Sequence, residues 1–444
     1  MRQNPLAVVI LAAGKGTRMK SDKPKVMHEL LGLPMINWLL KTVETLNPER
    51  VIAVVGPDML ELEQAVSPHQ SVIQTERNGT GDALKTVLPA LEGFNGDVLV
   101  LLGDTPLITQ ETLNGFITNH QQISVLGVKL QDPTGYGRLL MNEDGTLKAI
   151  REEKDASAEE KQVQTVNTGA FCLNTDKIAD WLSQLSNDNA QGEYYITDLP
   201  EIAARDGIKT NIHITHNRQE VQGCNTRIDL ANLEKAAQIK RREEFLTQGV
   251  QMQDPDTVYF QHDTKIAAGV IIEPNVFFGK NVRVEKNVHI KAFCHFEGAH
   301  IGENTIVGPF ARLRPGTEIA KNVRIGNFVE IKKSTIGKGS KISHLGYVGD
   351  CTMGEEVNFG CGAITVNYDG YNKHQTIIEN NTMIGSNANL VAPVIIREGA
   401  FIAAGSTITT DVKSDALALE RTEMEIHEGW AAERRELASR KKKS

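Results

Sequence analysis

An aliphatic residue, or occasionally Phe, returns at every sixth position in the C-terminal part of this chain, with a few breaks, from residue 272 to about residue 412. The repeated positions are Ile272, Phe278, Val284, Ile290, Ile301, Val307, Leu313, Ile319, Ile325, Ile331, Ile336, Ile342, Val348, Ile384, Leu390, Ile396, Ile402 and Ile408. A period of six fits neither an amphipathic helix nor a hairpin meander, whose periods are about 3.6 and 2. It is typical of a parallel β-helix, in which three hexads form one triangular coil around an aliphatic interior. Gly or Asn is expected at the corners, where the backbone φ turns positive.

The N-terminal end carries a second signal, an apolar run of strand length that leads into a Gly-rich basic loop. Residues 6–13 are followed at once by Gly14, Gly16 and Arg18, and then by Lys25. Glycines let backbone N–H groups approach an anion and the cations add charge, so the loop predicts a phosphate site. Neither a Walker A loop nor a complete GxGxxG fingerprint is present. A turn without a ligand is the alternative interpretation of this loop alone.

Length and composition predict two soluble domains. The 444 residues exceed what one hydrophobic core normally holds. A net charge of −8 argues against a general nucleic-acid binder. The cysteines Cys172, Cys224, Cys294, Cys351 and Cys361 form no CxxC pair and are expected to be reduced thiols. The start lacks a signal peptide and residues 6–13 are too few to span a membrane, so we expect a cytoplasmic protein without membrane or nucleic-acid partners.

The chain divides into three segments. Residues 1–226 alternate strand candidates (51–55, 98–102, 124–129, 168–173) with helix candidates (35–46, 81–91, 177–185), which predicts an α/β domain with a mostly parallel sheet. A charged, helical stretch within residues 227–250 is predicted to be a linker helix. The β-helix domain then occupies residues 251–444. Residues 364–383 interrupt the hexads and predict a loop outside the coil.

Several motifs together resemble the sugar-1-phosphate nucleotidylyltransferases. They are Leu11-Ala12-Ala13-Gly14 with Gly16, Arg18 and Lys25, Leu102-Gly103-Asp104, Gly135-Tyr136-Gly137-Arg138, Asn167-Thr168-Gly169, and the stretch 192–198. With the hexads added, residues 5–425 resemble the bacterial bifunctional N-acetylglucosamine-1-phosphate uridyltransferase / glucosamine-1-phosphate N-acetyltransferase family. The resemblance implies a Rossmann-like N-terminal sheet, a left-handed C-terminal β-helix, and synthesis of UDP-N-acetylglucosamine for peptidoglycan and lipopolysaccharide.

Uridylyl transfer requires positioning and charge neutralisation more than covalent chemistry. Arg18 and Lys25 are the catalytic candidates, because they can stabilise charge on the phosphates while the glycine loop offers backbone donors. Asp104 follows a predicted strand and is the candidate ligand of Mg²⁺, which prefers hard oxygen atoms. The resemblance adds Asn225 as its neutral partner. Helix capping by Asp104 and a simple turn role for Asn225 are the alternatives.

The resemblance assigns further residues to the UTP and UDP-sugar site. They are Leu11, Ala12, Ala13, Gly14, Lys25, Gln74, Gly79, Thr80, Gly103, Asp104, Gly137, Glu152, Asn167 and Asn225. Gln74, with Gly79 and Thr80, would read uracil, since an amide matches the donor and acceptor edge of that base. Gly137, Glu152 and Asn167 would hold the N-acetylglucosamine group. Glu152 and Glu153 stand in one charged run, so a solvated face is the alternative, and the choice between them rests on the motif alone.

Acetyl transfer to an amine requires a base and a cleft for coenzyme A. His344 is the candidate general base, with a structural histidine on a coil corner as the alternative. Arg314 and Lys332 are candidates for gripping the sugar phosphate, and Glu330, on the same face as Lys332, is a candidate for orienting the base. The resemblance adds Tyr347, Asn358, Asn367 and Tyr368 as sugar and cofactor contacts, and Ser386, Ala404 and Arg421 as the coenzyme A groove. Ala404 has an alternative role in the coil core.

Mg²⁺ is therefore the expected cofactor, with UTP, acetyl-coenzyme A and glucosamine-1-phosphate as substrates. The hexads give about eight coils and a height of ~40 Å at the usual strand spacing. Flat apolar prism faces favour threefold packing and the family is trimeric, so we expect a homotrimer with acetyl-transfer sites at subunit boundaries. A helix over residues 423–438 that covers a neighbour's site is a further expectation.

Two other functions compete with the two-reaction enzyme. One is a single nucleotidylyltransferase whose β-helix merely oligomerises or binds a regulator, although a purely structural coil needs neither His344 nor the loop at Asn367 and Tyr368. The other is an assembly module with a degenerate nucleotide fold, which the joint presence of Arg18, Lys25 and Asp104 opposes. Binding of both a nucleotide and coenzyme A would favour the first function.

Overall fold

The computed structural model describes residues 4–441 and contains two compact units, Met1–Arg241 and Arg242–Ser444. The strands of the first unit are β1 (Leu6–Leu11), β2 (Glu29–Leu30), β3 (Leu33–Pro34), β4 (Arg50–Val55), β5 (Gln70–Ile73), β6 (Asp97–Leu102), β7 (Ile123–Lys129), β8 (Arg138–Met141), β9 (Leu147–Arg151), β10 (Thr165–Asn174) and β11 (Asn211–Thr215). Its α-helices are α1 (Met35–Glu44), α2 (Leu60–Val66), α3 (Thr80–Lys85), α4 (Gln110–Thr118), α5 (Thr175–Ser183) and α6 (Leu199–Arg205), and α7 (Arg227–Thr247) follows. No helix within residues 4–441 is long and apolar enough to cross a membrane.

The main sheet of the first unit has the strand order β11-β7-β10-β6-β1-β4-β5. Strands β6, β1, β4 and β5 are parallel, and alternate residues of β1 face two separate hydrophobic cores. Strand β10 is antiparallel to both β6 and β7. Only a short 3-10 helix, Glu160–Gln162, lies between β9 and β10, and a parallel return would need a longer crossover. The other six strands of this order run in one direction, so the prediction of a mostly parallel sheet is confirmed, with β10 as the exception that makes the sheet mixed.

The helix predicted over residues 81–91 is broken in two. Helix α3 ends at Lys85, and a 3-10 helix spans Leu88–Leu91. Pro89 lacks a backbone N–H and disfavours the helical conformation of the residue before it, which explains the break.

The second unit is a triangular prism of short parallel strands. The first face contains Gln251–Met252, Ile271–Ile272, His289–Ile290, Ile306–Val307, Arg324–Lys332, Lys341–Gly349, Asn358–Phe359, Met383–Ile384, Phe401–Ile402 and Leu417–Ala418. The second contains Phe277–Phe278, His295–Phe296, Arg312–Leu313, the far ends of the two nine-residue strands, Ile364–Val366, Asn389–Val391 and Thr407–Ile408. The third contains Lys265–Ile266, Arg283–Val284, Ala299–Ile301, Thr317–Ile319, Ser334–Ile336, Cys351–Met353, Thr376–Ile378 and Val394–Ile396. This architecture confirms the β-helix that the hexads predict.

The aliphatic hexad residues fill the prism, and the corners have left-handed backbone. Ile272, Ile301 and Ile331 have no exposed surface. Asn304 and Asn322 occupy one corner with φ of 55° and 60°, a conformation that Asn tolerates better than most side chains.

One coil is longer than the others. Its strands pair Lys341 with Asn358 but Asn358 with Met383, and the extra residues form a loop at 367–375. This loop confirms the predicted interruption of the hexads. A last helix, α8, spans Trp430–Lys441, so the predicted start at residue 423 was wrong. Gly429, directly before α8, has a φ of 80°, a conformation that cannot continue a helix.

Close stacking of the coils makes Gly326 sensitive to substitution. A Cβ at this position would lie 1.8 Å from the carbonyl oxygen of Ser343 in the next coil. We expect Gly326→Ala to lower the free energy of unfolding by about 2–4 kcal/mol, since the backbone of two coils must separate. Chemical denaturation of the full chain measures this change. Gly346→Ala is the matched control, because its nearest atom would lie 3.4 Å away, and an equal loss in both variants would contradict the steric explanation.

Candidate active sites

A cavity of about 950 Å³ opens at the carboxyl ends of β1 and β6, beside the N-terminal half of the antiparallel strand β10. Its lining brings together most of the residues that the sequence assigned to this half, namely Leu11, Ala12, Ala13, Gly14, Arg18, Lys25, Gln74, Gly79, Thr80, Asp104, Gly137, Glu152, Asn167 and Asn225. Gly103 lies behind the lining and donates its N–H to the carbonyl of Leu11. The cavity also includes Tyr136, which sequence reasoning did not single out.

Two polar side chains contact the ammonium group of Lys25, and Arg18 contacts one of them. Its Nζ donates to Asp104 Oδ2 at 2.5 Å and to Asn225 Oδ1 at 3.2 Å. Arg18 Nη2 donates to the same amide oxygen at 2.9 Å. Asp104 is 7% exposed, so its charge is held where water screens it little. A carboxylate oxygen and an amide oxygen therefore converge on one cation.

The backbone fixes these side chains from several directions. Gly16 has a φ of 61°, and a Cβ there would lie 2.6 Å from Cβ of Lys25, so the loop folds tightly onto that lysine. The N–H of Cys224 donates to the carbonyl of Asp104 at 3.0 Å and holds the Asn225 segment beside it. Asp104 caps no helix, because α4 begins at Gln110 and Thr109 caps it. The capping alternative for Asp104 was therefore wrong.

The candidate uracil pocket is built around Gln74. Its Nε2 donates to the carbonyl of Gly79 at 3.0 Å and to Asp82 Oδ2 at 2.7 Å, so its carbonyl oxygen is the atom left for a ligand. Gly79 has a φ of 105°, and a Cβ there would lie 2.6 Å from the carbonyl oxygen of Tyr194. The hydroxyl of Thr80 accepts from the N–H of Ile196 at 3.1 Å.

The structure separates the two neighbouring glutamates. Glu152 lines the cavity and accepts from the hydroxyl of Thr197 at 3.1 Å, and burial raises the pKa of its carboxyl. Glu153 points away, accepts from Arg138 at 2.7 Å and from the N–H of Gly135, and has a lowered pKa chiefly because of Arg138. The carboxylate that faces the cavity is thus that of Glu152.

The carboxyl of Asp198, behind the same wall of the cavity, is expected to make the stability of the fold depend on pH. Burial, followed by the charge of Glu201, raises the pKa of its carboxyl from 3.8 to about 6. The folded state then holds a proton that the unfolded state releases between pH 4 and 6, so stability falls as pH rises through that window. We expect Asp198→Asn to be more stable than wild type at pH 7, on the order of 1 kcal/mol after discounting for partial exposure, and equal near pH 4. Denaturation curves at both pH values test this, and an equal difference at both would contradict it.

In the second unit, His344 lies exposed at the corner between the first and second faces. Its Nδ1 is 3.0 Å from Oδ1 of Asn327, its partner in the neighbouring coil. With the amide oxygen as acceptor, Nδ1 carries the proton and Nε2 presents its lone pair to solvent. Glu330 instead accepts from Arg314 at 2.8 Å and pairs in register with Tyr347. The expectation that Glu330 orients the base was wrong, and Asn327 is the residue that sequence reasoning missed.

A cationic group lies on the next corner of the same coils. Lys332 and Lys373 are in direct contact, which, with the charge of Arg314, lowers the pKa of Lys332. Lys373 belongs to the loop 367–375, and a β-bridge to Tyr368 holds it there. Asp369 organises this loop by accepting from the N–H groups of Tyr371 and Asn372 at 2.7 and 2.6 Å. Sequence reasoning also missed Lys373. Its one signal was its position within residues 364–383, which interrupt the hexads.

The remaining predicted contacts of this half are spread over several places. Tyr347 and Asn367 both border Gly349, and the Asn367 amide donates to Asp350 at 2.5 Å. The corner of His344 continues upward through Cys361, Ser386 and Ala404, since Asn387 and Gly405 donate to the carbonyls of Cys361 and Ser386. The others are Asn358, which donates to Met383 Sδ on the first face, Tyr368 at the base of the loop, and Arg421, exposed beyond the last strand. A continuous strip of small side chains thus leads away from His344.

Comparison with known proteins matches both units. Residues 8–164 match the family model of the MobA-like NTP transferase domain, and residues 298–333 and 375–410 match the bacterial transferase hexapeptide repeats. The chain is 46% identical over 437 residues to the bifunctional protein GlmU of Paramagnetospirillum magneticum, covering 97% of each chain. It is 46% identical over 451 residues to that of Agrobacterium fabrum, covering 100% of this chain and 99% of the relative. With the GlmU protein of Acinetobacter baumannii the identity is 44% over 437 residues.

Proposed function

The chain belongs to the bifunctional GlmU family, and we infer from this premise that its two units catalyse successive steps of UDP-N-acetylglucosamine synthesis. The β-helix unit acetylates glucosamine-1-phosphate, and the N-terminal unit transfers a uridylyl group to the product. The observation that carries this function is that each unit has its own polar centre, Lys25 with Asp104 in one and His344 with Asn327 in the other. A β-helix used for assembly alone needs no such centre, which disfavours the single-activity alternative.

In uridylyl transfer, a phosphate oxygen of the sugar-1-phosphate attacks the α-phosphorus of UTP and the bond to pyrophosphate breaks. Lys25 and Arg18 lie in the cavity beside the glycine loop, where their charges oppose the negative charge of the triphosphate. Glu152, with the raised pKa of its buried carboxyl, is placed to bind a sugar hydroxyl. The wall around Gln74, Gly79 and Thr80 is the proposed position of the uracil ring.

The donor set fits Mg²⁺. Oδ2 of Asp104 and Oδ1 of Asn225 already share one cation, the Lys25 ammonium, and both are hard oxygen atoms. We propose that these two residues hold the ion together with phosphate oxygens and water. When bound, the ion would neutralise triphosphate charge and make pyrophosphate a better leaving group. Lys25 would then turn from Asp104 toward the phosphates.

In acetyl transfer, the amine nitrogen attacks the thioester carbon, the C–S bond breaks, and Nε2 of His344 takes a proton from the nitrogen that the departing thiolate can receive. Asn327 holds the ring with Nε2 outward. Arg314, Lys332 and Lys373 form the proposed site for the sugar phosphate, since the two lysines lie together and Arg314, paired with Glu330, adds its charge beside them. The strip through Ser386 and Ala404 is the proposed coenzyme A groove.

Loss of the Lys373 charge tests this phosphate site. We expect Lys373→Ala to raise the KM for glucosamine-1-phosphate by about 10–100-fold, with a smaller change in kcat, because a charge-assisted contact to the ground state is removed. Steady-state thiol release measures both constants. Lys413→Ala, on the same unit, is the control and should leave KM unchanged. An unchanged KM in Lys373→Ala would show that the sugar phosphate does not bind at Lys373.

A paired assay tests the two reactions together. The purified chain receives glucosamine-1-phosphate, acetyl-coenzyme A, UTP and Mg²⁺, and each cosubstrate is omitted in turn. We expect free thiol in the absence of UTP, and pyrophosphate release that depends on acetyl-coenzyme A. Pyrophosphate without thiol release would favour the single-activity alternative.

We further propose a homotrimer, with functional domains at residues 1–226 and 251–444 joined by a linker helix at 227–250. The helix α7, Arg227–Thr247, and the first coil strand, which begins at Gln251, support these boundaries. The absence of a CxxC pair among the five cysteines supports a reducing, cytoplasmic location. Sedimentation of the intact chain measures the oligomeric state.

A further inference from the structure

The side-chain amide of Gln74 is held in one orientation by two acceptors. Gln74 lines the cavity of the first unit and is 4% exposed. Its Nε2 donates to Asp82 Oδ2 at 2.7 Å and to the carbonyl of Gly79 at 3.0 Å. A carboxylate and a peptide carbonyl accept hydrogen bonds and donate none. A flipped amide would place its own oxygen against both acceptors, so the amide presents its oxygen, and not its nitrogen, to a ligand.

Asp82 supplies the stronger of these two contacts. A hydrogen bond to a charged acceptor is roughly twice as strong as one between neutral groups. Asp82 Oδ2 also accepts from the backbone N–H of Asn78 at 3.2 Å, so the backbone holds the carboxylate beside Gln74. Asp82 itself lies outside the cavity lining. It can therefore act on a bound nucleotide only through the Gln74 amide.

A second segment of the chain fixes the backbone that carries these acceptors. The N–H of Gly81 donates to the carbonyl of Tyr194 at 2.7 Å, and the N–H of Tyr194 donates to the carbonyl of Asn78 at 2.8 Å. Residues 78–82 are thus tied at two points to the chain around Tyr194. The acceptors stand in place before a nucleotide binds, so the orientation of the Gln74 amide is a property of the free protein.

An amide fixed in this way distinguishes one pyrimidine base from another. Uracil carries a donor, N3–H, between two carbonyl groups, whereas N3 of cytosine is an acceptor. The Gln74 oxygen can accept from uracil, and it opposes the lone pair of cytosine. A buried polar group that the wrong ligand leaves unpaired makes a site reject that ligand strongly.

We propose that Asp82 is a positioning residue that sets the base selectivity of uridylyl transfer, by holding the Gln74 amide with its oxygen toward the base. The proposal rests on the uridylyl transfer proposed above and on the proposed position of uracil at Gln74. It assigns the choice between UTP and CTP to a residue that does not touch the nucleotide.

The preference of the full chain for UTP over CTP tests the proposal. Pyrophosphate release is measured with N-acetylglucosamine-1-phosphate, Mg²⁺ and each nucleotide in turn. We expect wild type to prefer UTP in kcat/KM by at least about 10²-fold, and to use N3-methyluridine triphosphate, which lacks the donor, as poorly as CTP. Asp82→Ala should lower the preference for UTP over CTP by about 10-fold or more, because the amide can then turn and offer its nitrogen to N3 of cytosine. Asp82→Asn retains an acceptor oxygen for Nε2 and should keep the preference within about threefold of wild type.

Asp176→Ala is the matched control. Asp176 is likewise a carboxylate in the first turn of a helix, α5, and it lies outside the cavity lining, so this variant should keep the wild-type preference. If Asp82→Ala fails to fold, Asp82→Ser takes its place with the same expected result, since its hydroxyl oxygen still offers the turn an acceptor.

A folded Asp82→Ala chain that loses kcat/KM equally for UTP and CTP would overturn the proposal, because a merely structural role lowers both alike. A wild-type chain that uses CTP as well as UTP would overturn it too. These outcomes leave the proposed function intact. A wild-type chain that releases no pyrophosphate from any of the three nucleotides overturns the proposed uridylyl transfer itself.

Discussion

Asp104→Ala is expected to lower the rate of pyrophosphate release by about 10²–10³-fold and to leave thiol release within about twofold of wild type. The buried Asp104 carboxylate holds Lys25 at 2.5 Å, and Lys25 in turn contacts Asn225. Removing the carboxylate deletes a proposed Mg²⁺ ligand and leaves the Lys25 ammonium without its closest partner. The acetyl-transfer residues lie in the other unit, so they should not respond.

Asp144→Ala is the matched control for this variant. Asp144 is an exposed carboxylate of the same unit, paired with Lys209 at 2.7 Å and outside the cavity lining. Both assays should be unaffected by its loss. Raising the Mg²⁺ concentration should recover part of the Asp104→Ala deficit if the residue is a ligand. A wild-type rate of pyrophosphate release in Asp104→Ala would show that Asp104 takes no part in uridylyl transfer.

His344→Ala is expected to have the opposite effect, lowering thiol release by about 10²–10⁴-fold with pyrophosphate release from N-acetylglucosamine-1-phosphate unchanged. The reason is the loss of the nitrogen that accepts the amine proton. Asn327→Ala should show a smaller loss in kcat with little change in KM, because the ring keeps its base but loses its 3.0 Å orienting contact. Steady-state kinetics on both substrates separate these effects.

His300→Ala is the control, since His300 is another histidine on the coil surface and contacts Glu285 and Glu318 instead of the site. It should retain both activities. Loss of both activities in a folded Asp104→Ala or His344→Ala chain would contradict the assignment of independent sites.

The sequence predicted the β-helix because each hexad buries its large apolar side chain at the same place, so that these residues recur with a period of six. Ile272 and Ile331 are both buried, and the burial of such residues is visible in the sequence as the period of six. The boundaries of helices α3 and α8 were less predictable, because Pro89 and Gly429 act on backbone conformation and leave the local hydrophobic pattern unchanged. The antiparallel direction of β10 was not predicted for a related reason, since strand direction depends on the connection between strands.

At the sites, residue types were predictable and their partners were not. Asp104 and His344 stand out in the sequence as chemistry-bearing side chains. The contact of Asn327 with His344 arises only when two coils stack, 17 residues apart in the chain. Lys373 reaches Lys332 because a loop folds back over the corner, and no periodicity records that path. Glu152 and Glu153 differ in which side of one short segment they occupy, and the charged run hides that difference.

The long coil has a consequence for how acetyl acceptors can change. Pairing resumes in register on all three faces after the loop 367–375, with Asn358 opposite Met383, Ile364 opposite Asn389 and Cys351 opposite Thr376. The prism therefore accommodates the extra residues of this loop at a corner without any adjustment of the coils above it. One proposed acceptor contact, Lys373, therefore lies in a loop whose length can change, while His344, Arg314 and Lys332 stay on unaltered coils. Enzymes of this kind can diversify by exchange of this one loop. The coils keep their positions, so they fix where the side chains of a new loop lie relative to His344.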